Sequence, residues 1–328
     1  MADYPYIMGV LRSLEKRLLN ATDLERMIDA PNVEATFRVF NDTEYADNLL
    51  DVTPQEYKKA LDDDLKQTYE LYKQMIADKN LFEFLFVRYD FHNIKLSFKA
   101  KYSGKISSEY ESKLGLVEPE KIRKYILETN ADSPSNKLKI VIDNANKLFE
   151  QNNKPHYIDN ILDKELFNYL GDLTKKINNV FINNFLKLQI DLVNIKILLR
   201  TKLMNKEVLF LQNELIDGGS RTINNFIALF ETDIKTIIKT LEKYFDNNLK
   251  TILEEYEKDQ VLPKLEKAFE EYELNYLKQT KRFNYGPELV VAYYYAKKNA
   301  IRNVRLIMTG KLNGISPEEI RQRIRQLW

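Results

Sequence analysis

Three stretches of this chain repeat one pattern, and a repeat constrains a fold strongly, because every copy must bury the same face in the same way. The first runs Arg88-Tyr89-Asp90-Phe91-His92-Asn93-Ile94-Lys95 and on to Lys101-Tyr102. The second runs Gln189-Ile190-Asp191-Leu192-Val193-Asn194-Ile195-Lys196 and on to Lys202-Leu203. The third runs Lys298-Asn299-Ala300-Ile301-Arg302-Asn303-Val304-Arg305 and on to Lys311-Leu312. In each, an Asn is followed by a β-branched residue and a base, and a Lys stands eight places after the Asn. The Asn residues are 101 (194−93) and 109 (303−194) positions apart. That period is domain-sized, well beyond the roughly 20–50 residues of solenoid repeats.

The pattern is helical. Phe91, Ile94, Phe98 and Tyr102 fall at i, i+3, i+7 and i+11, and the same slots hold Leu192, Ile195, Leu199 and Leu203, then Ile301, Val304, Met308 and Leu312. This spacing places each set on one stripe of a helix. Phe84, Phe185 and Tyr294, nine residues before each Asn, fill one equivalent aromatic slot. The remaining chain has no sustained strand alternation, and its 9 Gly and 9 Pro leave few helix breakers. Thr53-Pro54-Gln55-Glu56 and Ser316-Pro317-Glu318-Glu319 are capping boxes with Pro at the first helical position. Pro119-Glu120-Lys121-Ile122-Arg123 resembles Pro317-Glu318-Glu319-Ile320-Arg321 but lies further from its repeat, which predicts a surface insertion around 103–112. The second copy lacks this Pro and departs from the pattern after Leu203. Loops are expected at 131–136, 151–155 and Asp217-Gly218-Gly219-Ser220. The expectation is an all-α protein of three pseudo-symmetric helical bundle modules, 1–115, 116–220 and 221–328.

Composition narrows the function. The chain has 328 residues, 44% hydrophobic and 30% charged, which suits a folded protein. A net charge of +1 argues against a general nucleic-acid binder. With no Cys, thiolate metal sites and Cys nucleophiles are excluded, and His92 and His156 alone do not make a metal site or triad. No signal-like leader and no apolar run of about 20 residues is present, so direct membrane insertion is not expected. The chain is expected to be cytoplasmic, reaching a membrane only by docking on something embedded there.

Asp90 with Asn93, and Asp191 with Asn194, put a carboxylate and an amide on one helix face. They could be ligands or acid/base groups, or buried anchors whose Asn is satisfied by a neighbouring helix. Recurrence favours anchors, since each bundle needs the same internal bond. The third copy keeps Asn303 but has Ala300 in place of Asp. Lys95, Lys196 and Arg305 either pair with those carboxylates or contact a partner. Thr309-Gly310-Lys311 is not a phosphate loop: Arg305 and Leu312 stand where a Gly and a Ser or Thr are needed. Asp217-Gly218-Gly219-Ser220-Arg221 could form an anion nest, and is more simply an interdomain turn. Residues 281–328 hold ten bases and three acids, a local +7, while residues 42–70 hold nine acids and three bases, a local −6. Opposite poles can orient a protein between two partners. Arg302, Arg321, Arg323 and Arg325 are the candidate partner interface, and Trp328, the single Trp, is either a plug or an interface anchor.

The tripled Asn-[Ile/Val]-[Lys/Arg] helix, the run Asn303-Val304-Arg305-Leu306-Ile307-Met308-Thr309-Gly310-Lys311-Leu312-Asn313-Gly314-Ile315, and the opening Tyr4-Pro5-Tyr6 with Arg12, Leu14, Glu15 and Leu18 together carry a resemblance. The chain resembles the central-stalk C subunit of prokaryotic V/A-type rotary ATPases, the counterpart of the d subunit of the vacuolar proton pump. The resemblance implies a funnel or collar of three pseudo-symmetric helical domains. It would sit on the cytoplasmic face of the membrane, between the proteolipid rotor ring and the central-shaft subunits D and F, with no catalysis and no cofactor of its own. A helical-repeat scaffold for a soluble protein partner is the alternative. A hydrolase or transferase using Asp90, Asp191 and Lys311 lacks both a nucleophile constellation and a Gly-rich loop.

Overall fold

A computed structural model describes residues 4–43, 45–49, 51–105, 108–128, 131–152, 156–243 and 246–328. Among these the protein is all-α, without strands. In chain order the helices are α1 (Tyr4–Glu15), α2 (Ala21–Asp29), α3 (Val33–Asn41), α4 (Tyr57–Met75), α5 (Lys79–Ser103), α6 (Pro119–Leu127), α7 (Asn136–Asn152) and α8 (His156–Ile177). They continue with α9 (Val180–Leu203), α10 (Val208–Glu214), α11 (Ile223–Phe230), α12 (Ile234–Leu241), α13 (Asn247–Asp259), α14 (Leu262–Lys278), α15 (Pro287–Leu312) and α16 (Pro317–Arg323). Short 3-10 turns add Ser108–Tyr110 and Gln279–Arg282. The three repeats are α5, α9 and α15. The loop expected at 151–155 begins later, since α7 runs to Asn152; residues 153–155 lie outside the described residues.

Helix starts follow local side-chain chemistry. The Glu56 carboxylate reaches back to the Thr53 amide at 3.2 Å and hydroxyl at 2.8 Å, ahead of α4. Asn20, Asn32 and Asn179 accept from the amides of Asp23, Ala35 and Ile182, satisfying donors that a first helical turn leaves open.

The chain forms two compact units, Met1–Ala77 with Ile238–Trp328, and Asp78–Ile237. Positions 115 and 220, where module boundaries are expected, both lie inside the second unit.

In the first unit α15 is buried on nearly every side: Leu289, Val290, Val291, Ala292, Tyr294, Val304, Ile307 and Met308 are each 1% exposed or less. Around it pack Met27 and Ile28 of α2, Phe40 of α3, Leu61 of α4 and Ile320 of α16. The Tyr72 hydroxyl donates to the Val290 carbonyl at 2.7 Å, tying α4 to α15. In the second unit α5 and α9 are the buried helices, with α6 and α8 on α5, and α8, α10 and α11 on α9. The Arg88 guanidinium donates to the Gln189 side chain at 2.8 Å, linking those two directly. All three aromatic slots, Phe84, Phe185 and Tyr294, are buried, as are the first three positions of each stripe. The fourth emerges: Leu203 is 38% and Leu312 40% exposed.

One ion pair lies within the first unit's core. Lys297 Nζ is 2.7 Å from Asp64 Oδ1, with side chains 11% and 10% exposed, and 4.5 Å over the Tyr45 ring. Burial pushes the Asp64 carboxyl up, against the pull of the ammonium. Lys297→Ala leaves this carboxylate buried and unpaired and should cost about 3–5 kcal/mol in urea denaturation. The double change Lys297→Met with Asp64→Leu should recover most of that loss.

Candidate functional site

The repeated Asn makes the same bond three times. Asn93 Nδ2 donates to the Ser112 carbonyl at 2.8 Å, and its Oδ1 accepts from the Ser112 amide at 2.8 Å. Asn194 does this with Ile216 at 2.7 and 2.9 Å, and Asn303 with Arg325 at 3.0 and 2.9 Å. The partner is a non-helical connecting segment, a strap, where a neighbouring helix was expected. In each copy the strap residue comes two places after a short helix ending at Tyr110, Glu214 or Arg323. An Asn amide presents one donor and one acceptor side by side, so it pairs with a peptide as a neighbouring strand would.

The strap register corrects the alignment of the copies. The 3-10 turn Ser108–Tyr110, α10 and α16 each precede the gripped residue, whereas α6 follows Ser112. The Pro119 and Pro317 segments are therefore not equivalent. The supposed insertion at 103–112 contains the first strap's anchor, and the second copy does not depart from the pattern at this point.

The aspartates act one helical turn earlier. Asp90 Oδ2 and Oδ1 accept from the amides of Leu116 at 3.0 Å and Val117 at 3.1 Å. Asp191 accepts from the Ser220 amide at 3.0 Å, the Arg221 amide at 3.3 Å and the Ser220 hydroxyl. Along the helix the order is Asp then Asn; along the strap the Asn partner comes first, so the two run antiparallel. Gly115 and Gly219 each lie three places after the gripped residue, where a Cβ would strike Asp90 Oδ1 or Asp191 Oδ1. The 217–220 loop is thus an anion nest whose anion is Asp191 of the same chain, and it lies within the second unit.

Burial pushes the Asp90 carboxyl up to about 7; the amides of Leu116 and Val117 oppose this and the negative charge of Glu83 adds to it. The Asp191 carboxyl is also raised by burial, with Ser220 and Arg221 pulling it down.

The remaining repeat positions are absorbed by packing. Lys202 Nζ donates to the Phe230 carbonyl at the end of α11, 2.6 Å away. Lys311 Nζ donates to the Ile28 and Ala30 carbonyls at the end of α2, at 2.5 and 2.6 Å. A cation at open carbonyls complements a helix C-terminus. Lys101 instead meets the Asn146 side chain at 3.1 Å. Lys95 pairs with Asp163 of α8 at 2.6 Å and Arg305 with Asp62 of α4 at 3.2 Å, so neither pairs with the repeat carboxylates. Lys196 lies on α9 between Ile195 and Ile197, half-buried. Within Thr309-Gly310-Lys311, Thr309 Oγ1 is 2.7 Å from the Tyr57 hydroxyl, and a Cβ at Gly310 would stand 2.7 Å from Ile320 Cδ1. Exposed His92 bonds the Tyr110 carbonyl at 3.0 Å.

Three interface candidates are engaged within the first unit. Arg302 and Arg325 share Glu270 at 2.5 and 2.7 Å, and Arg321 bonds Glu25 at 2.9 Å and also pairs with Asp29. Arg323 is exposed and has no ion-pair partner among the described residues. Trp328 Nε1 donates to Glu15 at 3.2 Å. A further repeat position was missed: eleven places after each Asn stands a left-handed residue, Gly104 (φ 69°), Asn205 (φ 50°) or Gly314 (φ 66°). The Gly/Asn preference of such helix ends was the available signal. Among the described residues no group of three or more acids and histidines could hold a metal.

This geometry is that of a helical scaffold held by side-chain clamps, with most of its polar repeat residues bonded to its own backbone. Comparison with known proteins agrees. The model of the ATP synthase (C/AC39) subunit family matches residues 7–323, and the chain belongs to that family of structural, non-catalytic subunits. It is 24% identical to the C subunit of the A-type ATP synthase of Thermococcus kodakarensis, over 97% of this chain and 89% of that one. It is 21% identical to the C subunit of the V-type sodium ATPase of Enterococcus hirae, over 99% of both chains. Against the C subunit of the A-type ATP synthase of Methanocaldococcus jannaschii the identity is 25%, over 98% of this chain and 86% of the other.

Replacing Asn194 by Ala strands the Ile216 amide and carbonyl and should cost about 2–6 kcal/mol, at about 1–3 kcal/mol for each stranded group. Hydrogen exchange at Ile216 should speed up while the Ser112 amide is unchanged. A pH test follows from Asp90. Its carboxyl has an ordinary value of 3.8 and is raised to about 7 in the folded chain, so folding binds a proton between these values. The associated stability is fully present below about 4 and is lost as pH rises through about 7. The stability of the parent relative to Asp90→Asn should therefore fall across that window; a rise would contradict it.

Proposed function

We propose that this chain is a rotor adaptor. It joins a membrane proteolipid ring to the central-shaft subunits D and F of a V/A-type ATPase and transmits torque between ion movement and ATP chemistry. The observation that carries the reading is the tripled clamp. Three copies of one helix-and-strap unit spend most of their repeated polar residues on internal bonds. Clamped, closely packed helices transmit load with little compression, as a coupling element requires. The names of the Thermococcus and Enterococcus relatives support membership of such a complex. Among the described residues no helix is long and apolar enough to cross a membrane. Attachment is proposed to proceed through other subunits, at the cytoplasmic face. The three modules, 1–115, 116–220 and 221–328, are proposed as copies of one ancestral unit. Both partner contacts are expected to be polar and salt-sensitive.

Two measurements test this. The isolated chain should show no ATP hydrolysis. Membranes reconstituted without it should hydrolyse ATP in the detached head with no ion transport, and adding it back should restore coupling. Full coupling in its absence sinks the proposal; binding to a soluble protein alone, with no membrane complex recovered, favours the scaffold alternative.

A further inference from the structure

Between α14 and α15 the chain makes an exposed turn without a single acid from Gln279 to Pro287. Lys281, Arg282, Asn284 and Tyr285 are exposed, Tyr285 by 74%. The tip of the turn is exposed while its base is not: Thr280 and Gly286 are buried and Phe283 is half-buried, and the backbone between them is braced. Arg12 of α1 donates through Nη2 to the carbonyls of Thr280 at 3.0 Å, Phe283 at 3.2 Å and Lys281 at 3.5 Å, while its Nη1 is held by Glu15 at 2.8 Å. The Phe283 amide closes on Thr280 at 2.9 Å, and Gly286 (φ 137°) ends the turn in a backbone state closed to other residues. Lys281 Nζ lies 5.0 Å over the Trp328 ring. Lys278, at the turn's base, is held below the usual ammonium range by burial and by the charge of Lys281, with Glu271 only partly opposing.

We propose that this braced basic-aromatic turn, centred on Lys281, Arg282 and Tyr285, is a docking surface for an acidic segment of a protein partner. Tyr and Arg on a pre-ordered backbone are the side chains that dominate interface energies, because little freedom is lost on binding. Lys278, Lys281 and Arg282 form a cationic cluster that complements carboxylates. Three bases fall short of the roughly 4–8 of a lipid-binding cluster, and no exposed aliphatic side chain stands in the turn to enter a bilayer. The inference rests on the stalk-subunit reading only for where the partner is found.

The test uses the full chain and native membranes carrying the complex stripped of this subunit. Lys281→Glu with Arg282→Glu should rebind about tenfold or more weakly, and Tyr285→Ala a few-fold more weakly, with the melting temperature of Tyr285→Ala unchanged and that of the double variant lowered only by the loss of the exposed Lys281–Trp328 contact. Added salt should weaken the parent more than the double variant. Lys175→Glu, on exposed α8 surface, should bind like the parent. Equal rebinding by the parent and the double variant overturns this inference alone, whereas failure of the parent to rebind overturns the stalk reading. Binding of the parent to phosphatidylserine vesicles, lost in the double variant, assigns the turn to lipid and also overturns the proposal.

Discussion

The paired bond between one Asn side chain and one peptide unit is the interaction on which the rest of the structure depends. A helix buried on most sides needs cover over the face that no other helix reaches, and in each repeat a strap supplies it. Backbone outside a helix has no built-in partner, and stranding its amide and carbonyl away from water costs more than a hydrogen bond gains. An amide side chain satisfies both groups from one position in any protonation state; an ionised Asp has no donor, and Leu satisfies neither. Because the three Asn residues are fully buried, no solvent competes for these bonds. The same choice was made at Ser112, Ile216 and Arg325, whose side chains have nothing in common, because the clamp reads backbone and leaves the strap's side chains free to vary.

The other repeat positions follow from that grip. A strap held at one point can pivot, and a carboxylate one turn back takes two further amides, so the strap is fixed along its length. The two aspartates achieve this differently. Asp191 meets a hydroxyl as well as amides, with the Arg221 charge nearby; Asp90 meets amides alone, with Glu83 as a like charge. The lysine eight places on fixes the other end of the helix, closing α11 or α2 by its terminal carbonyls. α9 and α15 are thus each pinned by a strap and by a cap they provide to another helix, whereas in α5 Lys101 reaches the Asn146 side chain instead.

Much of this was legible in the sequence because it rests on period and local propensity. The apolar stripes, the aromatic slot and the caps at Thr53 and Ser316 require only helix geometry. The strap was not legible, because a clamp on backbone leaves no residue preference at Ser112, Ile216 or Arg325. Gly115 and Gly219 were its nearest visible trace. The Pro119 segment misled for the same reason: it shares composition with Pro317, but the strap register, unreadable from residues, sets the equivalence. The interface arginines could not be ranked from the sequence, since Glu270, Glu25 and Asp29 are far from them along the chain and the pairing exists only in the fold.

The third copy shows what the clamp needs and what it can do without. Ala300 replaces the carboxylate, and in the register position held by Gly115 and Gly219 stands Trp328. The two exchanges are coupled by sterics. A side chain at that strap position collides with the carboxylate in the first two copies, so losing the Asp is what allows a large residue there. With no carboxylate to hold it, the third strap is fixed from elsewhere. The Gln326 amide donates to Glu271 at 3.0 Å, the Gln326 carbonyl accepts from Asn299 at 2.7 Å, Arg325 reaches Glu270, and Trp328 reaches Glu15. The Asn bond is common to all three copies, while the second grip changes its chemistry. The amide clamp is therefore the invariant of the repeat, and the carboxylate is one of two ways of completing it.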